Sequence, residues 1–231
     1  MDLLEATQAA FVLLFTGDAE IWGIIWVSLK VSLLALLIAT PLAVATGFVL
    51  ATTKFPGRRA LVVILQSFLS FPTVVVGLIL FLLLTRQGPF GDLKLLYTQG
   101  AMVIGQAVIA FPVLAAFALA AVQAADQRVR ETALSLGATP LHAGLTTLFE
   151  VRFALVASLL NGFGRVISEV GCAMMVGGNI AGVTRNIPTA IALETSKGDF
   201  AQGIALGAVL MLFAFAANLT LAWAQGKGGL E

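Results

Sequence analysis

Residues 126–142 read Asp-Gln-Arg-Val-Arg-Glu-Thr-Ala-Leu-Ser-Leu-Gly-Ala-Thr-Pro-Leu-His, a polar stretch in a chain that is otherwise strongly apolar. The 231 residues are 59% hydrophobic and 11% charged, with a mean hydropathy of +1.01. Soluble domains carry about 25% charged residues, so this composition indicates an integral membrane protein. Because the sequence on both sides suits a bilayer, residues 126–142 must lie in water or against another protein. We expect this stretch to receive an input from outside the membrane.

Five segments are apolar and long enough to cross a bilayer, since a crossing helix needs about 20 residues. They are residues 22–51, 60–84, 100–125, 151–176 and 201–225. Lipid offers the backbone no hydrogen-bond partners, so these segments should be helices. Pro41, Pro72 and Pro112 fall within the first three segments and predict kinks or close backbone packing there. The sequence therefore predicts an all-α, polytopic membrane protein with about five transmembrane helices.

The remaining residues divide into three parts. We expect residues 1–20 to lie outside the membrane core, with residues 1–17 forming a short helix on its outer surface. This segment lacks the basic start of a secretory signal, because no Lys or Arg precedes Lys30. Residues 21–225 form the transmembrane domain, which includes a cytoplasmic loop at 126–150. Residues 226–231 are a cytoplasmic tail.

The distribution of Lys and Arg predicts the orientation, because basic residues favour the cytoplasmic side. The loop after the first segment holds Lys54, Arg58 and Arg59, and the central stretch holds Arg128, Arg130 and Arg152. The opposite side has fewer basic residues for its length, and the N-terminal tail is acidic. We expect a multi-pass protein of the cell membrane (the inner or plasma membrane), with its N-terminus outside and its C-terminus in the cytoplasm.

Local signals predict two short helices separated by a sharp turn in the central stretch. Asp126 suits the N-cap of a helix over residues 127–136, and Gly137 suits its left-handed end. Thr139 can cap a second helix that has Pro140 at its first position. Such a compact pair of helices could insert into a groove of another protein. Many cytoplasmic loops contain similar helices, so the local pattern leaves docking and an ordinary loop equally open.

The spacing resembles the coupling motif of ATP-binding-cassette (ABC) importer permeases. That motif begins Glu-Ala-Ala and places a glycine six residues after the glutamate. Glu131, Thr132, Ala133 and Gly137 occupy these positions, with Thr replacing the middle Ala. Family members usually have Leu-Pro near the end of the loop, where this chain has Phe149-Glu150. The resemblance implies that cytoplasmic ATP-binding subunits contact these four residues and Pro140.

Further stretches resemble the oxyanion permeases of this family. They are Phe-Pro-Thr-Val-Val-Val-Gly at 71–77, Ser-Glu-Val-Gly at 168–171, Val-Gly-Gly-Asn-Ile at 176–180, Thr-Arg at 184–185 and Lys-Gly-Asp-Phe at 197–200. Molybdate and tungstate permeases share these stretches, and the residues of this chain are most similar to those of the tungstate members. The resemblance implies the transmembrane domain of a type I ABC importer, a homodimer with its pathway on the two-fold axis, and a periplasmic or extracellular oxyanion-binding protein as a partner.

Charged residues within the predicted spans are candidates for the translocation path. A charge at the bilayer centre costs roughly 2.5–3.5 kcal/mol on insertion scales, so each should meet a partner or water. Arg165 and Glu169 are four residues apart and can meet on one helical face. They either form a neutralised pair that fixes packing, within one chain or across a subunit interface, or they line and gate the path. Asn179 and Arg185 are further candidates, with Arg185 at the outer mouth.

The composition gives catalysis and nucleic-acid binding no support. The single His and single Cys cannot build a metal site or a nucleophile–base pair, and the sequence has no Gly-x-x-x-x-Gly-Lys-Ser/Thr loop for ATP. The net charge of +1 favours no nucleic acid. We expect no cofactor in this chain, and membrane lipid around it. The function expected is ATP-driven import of an oxyanion, most similar to tungstate import. The alternatives are molybdate or sulfate import, or an ATPase-independent transporter or channel.

Overall fold

The computed structural model describes residues 18–225 together with Val12. The regular secondary structure of these residues is entirely helical. The ten α-helices of this range are α1 (Ala19–Thr52), α2 (Arg58–Ser67), α3 (Thr73–Leu84), α4 (Gln99–Ala124), α5 (Gln127–Ser135), α6 (Pro140–Glu150), α7 (Arg152–Ile167), α8 (Gly171–Gly177), α9 (Ile187–Lys197) and α10 (Phe200–Gln225). Short 3-10 helices occupy Phe68–Ser70 and Gly91–Leu93. The predicted surface helix at 1–17 and the tail at 226–231 lie outside the described residues, Val12 apart.

Three helices are each long and apolar enough to cross a membrane. They are α1, α4 and the Phe200–Thr220 part of α10. Two bent pairs also qualify: Arg58–Ser70 with α3, bent by 99°, and α6 with α7, bent by 66°. The described chain thus has three to five candidate spans, which confirms the predicted all-α polytopic class.

Two of the predicted spans are not continuous helices. The segment 60–84 is broken at Phe71 and Pro72, both of which are extended. Proline disfavours helical geometry in the residue before it, and it lacks an N–H to continue the helix. The segment 151–176 is broken after Ile167, and the chain resumes as a separate helix, α8. Hydropathy runs through both breaks, so it cannot reveal them.

The other two prolines lie inside continuous helices. Pro41 is within α1 and Pro112 is within α4. These two helices make the most extensive helix pair of the described fold. A Cβ placed on Gly47 would lie 2.7 Å from the Leu119 nitrogen and 2.8 Å from the Ala115 oxygen. The glycine therefore allows the α1 and α4 backbones to approach closely, as small residues do between membrane helices.

The short helix α8 is packed between α3 and α4. A Cβ on Gly77 of α3 would lie 2.8 Å from the Cys172 Cα, and one on Gly105 of α4 would lie 2.6 Å from the Cys172 sulfur. Cys172 is free and buried. These contacts hold α8 firmly beside the break that follows Ile167, where the candidate path residues lie.

Candidate functional site

The central polar stretch has the predicted pair of helices. The Asp126 side chain caps α5 by accepting a hydrogen bond from the Arg128 nitrogen at 2.9 Å. The helix ends at Ser135, one residue before the predicted limit. The Thr139 side chain caps α6 by accepting from the His142 nitrogen, and Pro140 occupies the first turn. The local reading of the sequence is confirmed for both helices.

The turn between α5 and α6 explains the spacing of Ala133 and Gly137. Gly137 has φ +88°, a left-handed conformation that favours glycine. The Ala138 nitrogen donates to the Ala133 oxygen at 3.0 Å, and the Gly137 nitrogen donates to the Leu134 oxygen at 3.0 Å. This pair of bonds is a Schellman motif, which ends a helix by using its last carbonyls. The glycine of the resembling motif is thus required by the geometry of the turn.

One face of the α5–α6 unit is anchored and the other is free among the described residues. Ala143, Gly144 and Thr147 are buried, and a Cβ on Gly144 would lie 2.8 Å from the Phe48 ring of α1. Glu131, Thr132, Gly137 and Pro140 are exposed. The outward face also carries large apolar side chains: Leu136, which is 83% exposed, and the exposed Leu141, Leu145 and Phe149.

The anchored unit is connected directly to the membrane body. Only Val151 separates the end of α6 from the start of α7. The Arg152 guanidinium at that junction stacks over the Phe149 and Phe153 rings, at 4.2 and 4.5 Å from their centroids. We therefore expect a displacement of α6 to act on α7.

Arg165 and Glu169 form an ion pair at the far end of α7. The Arg165 Nη1 lies 3.3 Å from the Glu169 Oε2, so the two residues form an ion pair within one chain. The Glu169 Oε1 accepts a hydrogen bond from the Cys172 backbone nitrogen at 3.0 Å. The Glu169 side chain is 3% exposed and the Arg165 side chain is 40% exposed. The carboxylate therefore links α7 to α8, while the guanidinium faces outward.

Asn179 and Arg185 have partners elsewhere. The Asn179 amide nitrogen lies 3.4 Å from the Thr189 oxygen, and the residue has φ +50°. The Arg185 Nη1 lies 2.9 Å from the Glu20 carboxylate, and the Arg185 side chain is only 13% exposed. Both residues hold the 178–186 loop against α9 and α1, and neither bonds to Arg165 or Glu169. Arg185 is therefore a largely buried residue in an ion pair with Glu20.

Two polar residues of the same region escaped the sequence reasoning. Asn161 and Ser168 are exposed and lie within the predicted span 151–176. They are four residues before and three residues after Arg165. The signal that could have identified them is the spacing of polar residues at 161, 165 and 168, which is visible in the sequence. Within residues 18–225, no group of three or more His, Cys, Asp or Glu side chains could hold a metal ion.

No family model matches the chain. It is 39% identical to the tungstate uptake system permease protein TupB of Campylobacter jejuni, over 94% of this chain and 90% of that protein. It is 36% identical to the protein of the same name in Peptoclostridium acidaminophilum, over 95% and 96%. It is 38% identical to a "Probable anion ABC transporter permease protein" of Haloferax volcanii, over 84% of each.

The chain belongs to the ABC transporter permease family. The similarity extends over nearly all of the permease, which confirms the resemblance first seen in the short motifs at 71–77, 131–137 and 168–200. The permease is a multi-pass membrane protein and a transport subunit, and not an enzyme in its own right. The α5–α6 unit and the Arg165–Glu169 pair are thus candidate sites for coupling and for transport.

Proposed function

We propose that this permease is the membrane subunit of an ATP-driven importer that translocates tungstate. The observation that carries the proposal is the similarity, at 39% and 36% identity over nearly the whole chain, to two tungstate uptake system permeases. The third relative, named for anions, fits the same class of cargo. A tetrahedral oxyanion suits a path that offers a guanidinium, because parallel N–H groups can bind two of its oxygens.

Separate ATP-binding subunits would supply the energy by binding the α5–α6 unit in the cytoplasm. This unit contains the exposed Glu131, Thr132, Gly137 and Pro140 and the half-buried Ala133, and Leu136 and Leu141 give it an apolar surface of the kind that protein interfaces bury. Closure of the ATP-binding subunits would displace α6. The one-residue linker at Val151 would pass that displacement to α7 and to the Arg165–Glu169 pair.

Two copies of the permease would enclose the path around a two-fold axis, and an external oxyanion-binding protein would deliver the cargo. The N-terminus would lie outside and the C-terminus in the cytoplasm. Basic residues of the 53–59 and 126–152 stretches support this orientation, since both would then face the cytoplasm. Residues 21–225 would form the transmembrane domain, with 126–150 as its cytoplasmic loop. Asn179 and Arg185 would shape the outer mouth through their contacts with α9 and α1.

The cargo can be tested by competition. Cells that produce the permease with its ATP-binding and binding-protein partners are supplied with tungstate, alone or with a tenfold excess of molybdate or sulfate, and intracellular tungsten is measured by mass spectrometry. We expect uptake that depends on the permease and that persists in the presence of the competitors. Loss of tungsten uptake in the presence of the excess molybdate or sulfate would contradict the proposed cargo.

A further inference from the structure

One face of α7 combines polar and small side chains. Asn161, Arg165 and Ser168 are spaced four and three residues apart, which places them within about 60° of one another around a helix that turns 100° per residue. Asn161 and Ser168 are exposed, and Arg165 is partly exposed. Ala157 and Gly164 lie on the same side. Bulky apolar side chains are thus missing from this face of α7, which we call the polar face.

The polar face lies to one side of the packed core of the permease, and Arg165 borders a small cavity between α7, α3 and α4. The core side of α7 carries the buried residues Ser158, Gly162 and Val166. The Ser158 hydroxyl donates to the Leu114 oxygen of α4 at 3.4 Å. A Cβ on Gly162 would lie 2.8 Å from the Leu114 side chain. Contacts with α4 therefore fix the rotation of α7 about its axis, and with it the direction of the polar face.

The α6–α7 pair is a candidate membrane span, and an α7 that crosses the bilayer would hold the polar face at the depth of the hydrocarbon. Arg152 begins α7 beside the polar α5–α6 unit, and a rise of about 1.5 Å per residue places Arg165 roughly 20 Å further along the helix. A bilayer core is about 30 Å thick. A guanidinium is costly when it faces lipid at such depth. The polar face must therefore meet water or another protein.

Helix α10 has the opposite character. Its exposed side chains include large apolar ones of the kind that face lipid: Met211, Leu212, Phe215 and Leu219. It also exposes Asn218, whose amide donates to the Ala214 oxygen at 2.8 Å. Asn161 makes the same type of bond to Ala157 at 2.9 Å. The two asparagines differ in their surroundings, because Asn218 has no charged or hydroxyl side chain three or four residues away in the sequence.

We infer that the polar face of α7 lines the passage of the anion, with Asn161 and Ser168 as additional contact residues beside Arg165, and that Glu169 is a positioning residue. The inference rests on the proposed function, because it takes the cargo to be an oxyanion. The Asn161 and Ser168 side chains are bonded to carbonyls of their own helix, at 2.9 Å and 2.8 Å. The second N–H of the Asn161 amide remains available to an anion, whereas the single Ser168 hydroxyl proton must exchange its carbonyl bond for one to the anion.

Glu169 cannot face the anion itself. Its two carboxylate oxygens are bonded to Arg165 and to the Cys172 nitrogen, and its side chain is buried. It therefore fixes the direction of the Arg165 guanidinium and offsets part of its charge. A partly neutralised guanidinium attracts an oxyanion without binding it too tightly for release.

The first test compares the two asparagines in the intact complex. Asn161→Cys, Ser168→Cys and, as the matched control, Asn218→Cys are reconstituted in vesicles with the ATP-binding subunits and the binding protein; the native Cys172 stays, because it is buried. A water-soluble anionic thiosulfonate is the probe, since it reacts with the hydrated thiolate. We expect modification at positions 161 and 168 at least about tenfold faster than at 218, with loss of tungstate uptake. Equal rates, or uptake unchanged after modification at 161 and 168, would overturn the inference.

The second test separates positioning from mere packing. The anionic thiosulfonate and a cationic one of similar size are compared at Asn161→Cys, because the ratio of their rates reports the local electrostatic potential. Adding Glu169→Gln removes a negative charge and should raise the ratio of anionic to cationic rates severalfold, whereas adding Arg165→Gln should lower it. A ratio that neither change alters would overturn the roles given to Arg165 and Glu169.

The rates of thiol modification also separate the failure of this inference from the failure of the proposed function. The rates at positions 161, 168 and 218 are measured without any transported ion. If the polar face reacts as expected while tungstate is not taken up, the passage is supported and the proposed cargo is wrong. If tungstate is taken up while the polar face is as unreactive as position 218, the cargo is supported and the passage lies elsewhere.

Discussion

At the scale of single residues, glycines show how closely the helices approach. Gly47 and Gly23 both lie in α1, but only a Cβ on Gly47 would meet other atoms within 4 Å, among them the Leu119 nitrogen at 2.7 Å. We expect Gly47→Ala to lower the free energy of unfolding by about 1–3 kcal/mol, the usual cost of overpacking. Thermal unfolding of the permease in detergent measures this change.

Gly23→Ala is the matched control, because it adds the same methyl group to the same helix in open space. Its stability should stay unchanged or rise by up to about 1 kcal/mol, since alanine favours a helix over glycine. Equal destabilisation by both changes would contradict the close approach of α1 and α4.

Residue pairs differed in how far the sequence revealed them. The Arg165–Glu169 pair could be predicted because a spacing of four brings side chains together on a helix. The bond from the Cys172 nitrogen to Glu169 could not, because it depends on the break that follows Ile167. The pairing of Arg185 with Glu20 also remained hidden, because these residues are 165 positions apart and meet only through the fold.

At the scale of elements, local signals were sufficient for α5 and α6. Caps, a glycine and a proline act within a few residues, so Asp126, Gly137, Thr139 and Pro140 determine where these helices begin and end. The membrane spans could not be predicted from such local signals alone. Hydropathy identifies apolar stretches but not their continuity, so Pro72 predicted a kink while the full 99° break at Phe71–Pro72 is given by the structure. A proline alone does not predict such a break, because Pro41 and Pro112 lie inside continuous helices.

The turn between α5 and α6 gives a prediction about coupling. Gly137 has φ +88° and no atom within 4 Å of a Cβ placed on it, so Gly137→Val acts through backbone strain alone, roughly 1–3 kcal/mol. We expect this change to weaken binding of the ATP-binding subunits and to reduce ATP-driven uptake, while membrane insertion stays normal. Co-purification of the subunits and vesicle uptake measure the two effects.

Two controls accompany this change. Gly137→Asn should retain most of the uptake, because asparagine tolerates the left-handed conformation better than valine does. Gly57→Val introduces the same kind of strain at φ +86° outside the α5–α6 unit, and it should spare subunit binding. Full uptake by Gly137→Val would contradict the role of the turn in coupling.

At the scale of the whole molecule, the arrangement of basic residues predicts which loops face the cytoplasm. Lys54 is exposed in the loop after α1, and Leu93 is exposed in the loop after α3, on the opposite side. A membrane-impermeant thiol reagent should label Leu93→Cys in intact cells, and it should label Lys54→Cys only after the cells are permeabilised. The reverse pattern would show that the orientation has been assigned the wrong way round.

The whole molecule also explains why the charged helix α7 is tolerated in a bilayer. Its packed side meets α4, its start follows the exposed α5–α6 unit after one residue, and its polar face would meet water in the inferred passage. In the proposed mechanism, movement imposed from the cytoplasm on α6 would reach this helix through Val151.

The most direct measurement is tungstate uptake into vesicles that contain the permease and its binding protein, with and without the ATP-binding subunits. We predict uptake only when these subunits and ATP are both present, and no uptake above that of empty vesicles when either is omitted. Uptake at the same rate without the ATP-binding subunits would contradict the central claim.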